Sequence, residues 1–142
     1  TFYFADTFAQ TMWAYDYDIA TGTLSNKRDF ASSESEPGFY DGSTVDAEGC
    51  VWNAMVIGGE LIRYTPAGEV ERRIGMPVSN VTSINFGGPK LDEIYVTSMA
   101  RVAHPAEHEH FVKQATPQFG AGALFRIRGL GIVGIEGPRF AG

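Results

Sequence analysis

Asp41 is the residue best placed to do chemistry. It leads Gly42 and the short run Ser43-Thr44-Val45, and a carboxylate at that point is oriented by backbone rather than by a long, floppy side chain. An oxygen anchor of this kind suits a hard cation such as Ca²⁺, Mg²⁺ or Mn²⁺. The plainer reading is that Asp41 caps a turn by accepting backbone N–H bonds, as Asp commonly does before Gly. The residues alone leave both open. Asp46 and Glu48, in Asp46-Ala47-Glu48-Gly49, read as a solvated hairpin between two strands. His104, His108 and His110 lie within seven residues, but a zinc site needs converging ligands on rigid elements. Their segment, Val102 to Gly120 with Pro105 and Pro117, reads as a surface loop or short helix. Ser98 lacks a Gly-x-Ser-x-Gly elbow or an indicated partner, so Thr97 and Ser98 are expected to hydrogen-bond a polar ligand or the backbone. Met55, with Asn53 and Asp6, is a weaker candidate for lining the same cavity.

Short alternating or apolar runs, broken by Gly, Asp, Asn and Pro, must position these groups, and helical periodicity is almost absent. Strands are expected at Phe2 to Ala5, Met12 to Tyr17, Ser43 to Val45, Cys50 to Val56, Glu60 to Tyr64, Val70 to Ile74, Ser83 to Phe86, Glu93 to Thr97 and Ala123 to Ile127. The chain is therefore all-β. An internal repeat matches Phe2 to Ala5, Met12 to Tyr17 and Gly22 to Leu24 with Cys50 to Ala54, Glu60 to Tyr64 and Gly68 to Val70. A weaker copy runs through Glu93 to Thr97 and Ala123 to Ile127. Tyr15 and Tyr64 stand 49 positions apart, and Trp52 and Tyr95 stand 43 apart, the spacing of β-propeller blades. About three blades fit. Because closed rings use roughly 4 to 8, residues 1–142 are expected to form a single partial propeller domain, completed by further blades or by a complementary chain. Trp13, Trp52, Tyr64, Tyr95 and Phe125 are expected to pack between blades.

With 142 residues, 44% hydrophobic and 13% aromatic, the chain can build a real core. A formal charge of -6, with basic runs no longer than Lys27-Arg28 and Arg72-Arg73, argues against a nucleic-acid surface. Cys50 is the only cysteine. No intrachain disulfide can form, and a small buried filler in a reducing, cytoplasmic compartment is expected. No apolar run approaches the roughly 20 residues of a membrane span. The start, Thr1-Phe2-Tyr3-Phe4-Ala5-Asp6, reads as mid-domain strand, so the chain is expected to begin inside a longer protein.

Several segments together resemble the gluconolactonase and senescence-marker-protein (regucalcin) family of six-bladed propellers. They are Tyr3-Phe4-Ala5-Asp6-Thr7, Tyr15-Asp16-Tyr17-Asp18 with Thr21-Gly22-Thr23-Leu24-Ser25-Asn26, and Asp41-Gly42 with Val45-Asp46-Ala47-Glu48-Gly49 and Trp52. Further on come Gly58-Gly59, Arg63-Tyr64 with Pro66 and Gly68, Val81-Thr82 with Phe86-Gly87-Gly88, Tyr95-Val96-Thr97-Ser98, and Gly122-Ala123-Leu124-Phe125. The resemblance runs in order along essentially the whole chain and implies its C-terminal half, with Gly137 to Gly142 as the family's natural end. It implies hydrolysis of a small sugar lactone, such as gluconolactone, with one divalent ion (Ca²⁺, Mg²⁺, Mn²⁺ or Zn²⁺). It also implies that Asp41 is both metal ligand and catalytic base, the other ligands, a glutamate and an asparagine, lying upstream of Thr1. The alternative is a non-catalytic calcium-binding or protein-interaction propeller, this piece being inactive alone.

Overall fold

The computed structural model describes residues 1–100 and 118–137; the three histidines lie outside the described residues. Among those described there is no helix, and ten strands form three antiparallel sheets. The first sheet is β1 (Phe2–Asp6), β2 (Thr11–Asp18) and β3 (Thr23–Ser32), in that order. The middle sheet runs β4 (Phe39–Val45), β5 (Val51–Val56), β6 (Glu60–Tyr64) and β7 (Val70–Gly75). In the third, β9 (Glu93–Ser98) lies between β8 (Val81–Gly87) and β10 (Phe125–Ile127). These are the three expected blades. The repeat read from the residues is also the repeat of strands, β1-β2-β3 matching β5-β6-β7.

Alternation along each strand sends the core to both faces of the middle sheet. Trp52 and Ala54 of β5 and Leu61 of β6 pack against Val81, Ile84, Phe86, Ile94 and Val96 of the third sheet. Val51 and Met55, from the opposite face of β5, pack with Tyr40, Ile62 and Tyr64 against Met12, Tyr3, Ala5 and Phe30 of the first sheet. The middle sheet thus has a neighbour on each side, and every residue of β5 is buried.

The 46–49 turn corrects the expectation of a solvated hairpin. Glu48 is exposed, but the Asp46 side chain is fully buried. Its Oδ1 accepts the N–H groups of Glu48 and Cys50, each at 3.0 Å. Its Oδ2 accepts Trp52 Nε1–H and Arg63 Nε–H, each at 2.8 Å. Arg63, nearly buried, also reaches Glu48 at 2.7 Å and Glu71 at 3.2 Å. Desolvation acts to discharge this guanidinium, yet hydrogen bonds to Glu48, Asp46 and Glu71 hold its pKa above the ordinary value. A buried carboxylate persists only when so paired, and here it ties the end of β4 to β5 and β6. Residues 131–134 then strap the middle sheet to the third: Ala47 N–H donates to Val133 O and Gly134 N–H to Leu91 O, both at 2.8 Å. Cys50 is buried as expected, and burial pushes its thiol pKa up.

Candidate functional site

The structure places Asp41 inside β4 rather than in a turn before a strand. The register of β4 on β5 shifts between Tyr40, paired with Met55, and Ser43, paired with Asn53. Asp41 and Gly42 therefore occupy a bulge, a device that locally breaks the ladder and re-aims a side chain. The expected strand began only at Ser43 because Asp41-Gly42 reads locally as a turn.

Side chains hold the backbone of this bulge. Thr7 Oγ1–H donates to Tyr40 O at 2.9 Å, and Asn53 Nδ2–H donates both to Asp41 O and to Ser43 Oγ, each at 2.8 Å. On the next sheet, Thr44 Oγ1–H donates to Asn85 Oδ1 at 3.2 Å. Gly42 shows why a side chain is excluded beside Asp41. A Cβ there would run into Ser83 Oγ and come 2.8 Å from Ser83 Cα, so β4 and β8 approach this closely only because Gly42 has none. The Asp41 side chain is half-buried, and burial raises its pKa above the ordinary carboxylate value against the opposing pull of a hydrogen bond from Gly42 N–H. A carboxylate penalised in this way gains from a cation.

The other candidates separate around it. Thr97 lies on the strand beyond Ser83: Gly42 abuts Ser83, Ser83 pairs in register with Thr97, and the Thr82 and Thr97 hydroxyls lie 2.8 Å apart. Ser98 is tied to its own sheet, donating to Ala123 O at 2.8 Å and accepting Gly122 N–H at 3.1 Å. Met55 is fully buried in the core between the first and middle sheets, so it presents no surface to a ligand; the strand alternation that puts Tyr40 and Ile62 inward puts Met55 with them. Asp6 caps its own turn, its Oδ1 accepting Phe8 N–H and Ala9 N–H. The contact of Ser83 with Gly42 was not read from the sequence. Nothing local marks it, since the contact joins strands 41 residues apart. Asn53 did carry a signal, being the one amide in the apolar run Val51–Val56.

Among the described residues no group of three or more His, Cys, Asp or Glu side chains could hold a metal ion. Asp41 fits one position in the shell of a hard cation: its carboxylate is carried on a bulge held by side chains and is partly desolvated. Further ligands would come from outside the described residues. Among the described residues, no helix is long and apolar enough to cross a membrane.

Comparison with known proteins carries the assignment beyond geometry. Residues 1–100 match the model of the SMP-30/gluconolactonase/LRE-like region. Regucalcin of Gallus gallus is 38% identical over 143 residues, covering 100% of this chain and 46% of that protein. A pentonolactonase of Haloferax volcanii is 40% identical over 126 residues, covering 89% of this chain and 42% of that protein. The crystal structure of a calcium-binding protein, regucalcin, from Agrobacterium tumefaciens superposes with a TM-score of 0.77 at 28% identity. It is covered over 44% of its length by 96% of this chain. The chain therefore spans less than half the length of the relatives it matches, and the three sheets are blades of a regucalcin-type propeller. Matched over residues 1–100 and similar in fold along its length, this chain belongs to the SMP-30/gluconolactonase/LRE-like family.

Proposed function

We propose that the protein of which residues 1–142 form the C-terminal half is a six-bladed propeller that hydrolyses a small sugar lactone with the help of one divalent cation. Asp41 would be a ligand of that ion and the general base. The observation that carries this reading is the half-buried Asp41 carboxylate on a bulge held by Thr7 and Asn53, in a chain 40% identical to a pentonolactonase. Upstream blades, or a complementary chain, supply the remaining ligands.

Asp41 would hold one position on a divalent cation, which when bound would supply Lewis-acid polarisation of the lactone carbonyl, of the order of several kcal/mol. The chain's own residues do the rest. Ionised Asp41 takes a proton from the attacking water as its oxygen bonds to the carbonyl carbon. The ring C–O bond breaks and the leaving ring oxygen takes up the proton that Asp41 had accepted, giving the open hydroxy acid and ionised Asp41. Its raised pKa moves Asp41 toward the operating range of a general base. Thr97, exposed and in register with Ser83, would offer its hydroxyl to substrate hydroxyl groups, and Ser98 would brace its strand.

The test is lactone hydrolysis by the full-length protein after chelation and after return of Ca²⁺, Mg²⁺, Mn²⁺ or Zn²⁺. Activity lost on chelation, restored by an ion and abolished in Asp41→Ala is the expected result. Retained activity at wild-type ion affinity in Asp41→Ala sinks the assignment. The calcium-binding description of the Agrobacterium neighbour favours a second reading, ion binding without catalysis. Ion binding that needs Asp41, with no turnover of any aldonolactone, would select it.

A further inference from the structure

We infer that Thr7 and Asn53 form a clamp that sets the direction of the Asp41 carboxylate and so the ion affinity of the site. The inference rests on the reading of Asp41 as a ligand and adds to it two positioning residues from different sheets.

Two consecutive peptide planes decide where a side chain points. The Tyr40–Asp41 peptide fixes φ of Asp41 and the Asp41–Gly42 peptide fixes ψ. In a regular strand the ladder holds both; at a bulge it does not. Here the carbonyl of the first plane accepts Thr7 Oγ1–H at 2.9 Å, and the carbonyl of the second accepts Asn53 Nδ2–H at 2.8 Å. Thr7 follows β1 in the first sheet, whereas Asn53 lies on β5 of the middle sheet. The clamp therefore closes from both sides of Asp41. The same Asn53 amide donates to Ser43 Oγ at 2.8 Å, fixing the residue at which the ladder resumes.

The burial of Asn53 is the independent observation. It is fully buried, on the face of β5 that carries Val51 and Met55 and in register with Ile62. Its Oδ1 has no hydrogen-bond partner among the described residues. An apolar side chain would be the default there, since burying an unsatisfied amide oxygen works against folding. A polar residue that weakens the core while its other atom holds the carbonyl of a candidate ligand is retained for geometry.

The experiment is calorimetric titration of the full-length, metal-stripped protein with Ca²⁺ and with Mn²⁺, alongside urea unfolding. Asn53→Leu, close in shape but without donors, is expected to weaken ion binding by about tenfold or more while the protein stays folded. Thr7→Val, near-isosteric and close to the surface, is expected to weaken it severalfold. Asn53→Thr, whose single hydroxyl can serve one acceptor at most, should fall between wild type and Asn53→Leu, and it carries the test if Asn53→Leu does not fold. A merely structural role would lower unfolding stability and leave ion affinity unchanged; folded Thr7→Val and Asn53 variants that bind both ions like wild type overturn the clamp. Asp41→Ala separates the two readings. If it binds as wild type, there is no site to orient and both fall; if it abolishes binding while the clamp variants bind normally, only the clamp falls.

Discussion

The first and middle sheets are copies of one repeat, yet they stand differently toward solvent. In the middle sheet every residue of β5 is buried. In the first, Phe2 and Phe4 of β1, the matching strand, are 40% and 47% exposed, and β3 is exposed along its first seven residues. Trp52 is fully buried between sheets, with Phe86 edge-on at 6.1 Å. Trp13 stacks on Phe4 at 6.0 Å with Lys27 Nζ 3.6 Å from its ring centre, an arrangement open to water. Within residues 1–142 the middle sheet has a sheet on each face and the first sheet on one face only, and the exposure of their strands follows that difference. The candidate site draws on both situations, with Asp41 half-buried on the inner edge of the middle sheet and Thr7 reaching in from the first.

The sharpest way to break this comparison is to remove one tryptophan from each sheet. Trp52→Ala is expected to destabilise by about 3–5 kcal/mol through lost packing and a cavity, measured by urea unfolding. In residues 1–142 alone Trp13→Ala should lower stability far less; in the full-length protein a loss comparable to that of Trp52→Ala would show that an upstream blade covers Trp13. Next in size is Asp46→Ala, which strands the nearly buried Arg63 and leaves Trp52 Nε1–H unpaired. A loss of about 3 kcal/mol or more is expected, where a solvated hairpin would lose almost nothing. Gly42→Ala forces Ser83 aside and should cost about 1–3 kcal/mol, with ion binding weakened as β4 and β8 separate. Asp41→Asn works in the other direction. Because burial raises the folded pKa of Asp41, its contribution to stability is greatest below the ordinary value of 3.8 and is lost as pH rises through the folded pKa. At neutral pH the ion-free Asn variant should therefore melt slightly higher than wild type, by roughly 1–3 °C, while failing to bind the ion. A lower melting temperature would show that the carboxylate is stabilising in the absence of metal. The smallest effect is expected at Arg28, whose pair with Asp16 at 3.0 Å is exposed on the first sheet. Arg28→Ala should leave the melting temperature unchanged within error and insensitive to salt.

The architecture was legible wherever apolar residues alternate or run together. Predicted strands at Phe2 to Ala5, Glu60 to Tyr64 and Glu93 to Thr97 match β1, β6 and β9 to within a residue at either end. β3 was not legible: Thr-Leu-Ser-Asn-Lys-Arg-Asp has no apolar face, and the strand exists because β2 offers it a ladder from Thr11 to Asp18. Asp41 could be singled out from its place before a short strand, and the family resemblance gave it a role. What could not be read was the bulge beneath it, because Thr7 and Asn53 meet it from 34 and 12 residues away. Asp46 shows the same limit. An Asp-Ala-Glu-Gly turn looks solvated until Arg63, Trp52 and the 131–134 segment close over it.

That closing segment bears on how the molecule is made. Ala47 and Asp46 meet Val133 and Gly134, which follow them by 86 and 88 residues, a pairing of high sequence separation. Each sheet can form from neighbouring hairpins, which are quick, but the strap can lock only after residue 134 has left the ribosome. Long-range closures of this kind slow folding and leave unpaired surface exposed in the interval. The buried Asp46–Arg63 pair, assembled within one sheet, would hold that sheet's end in register while it waits.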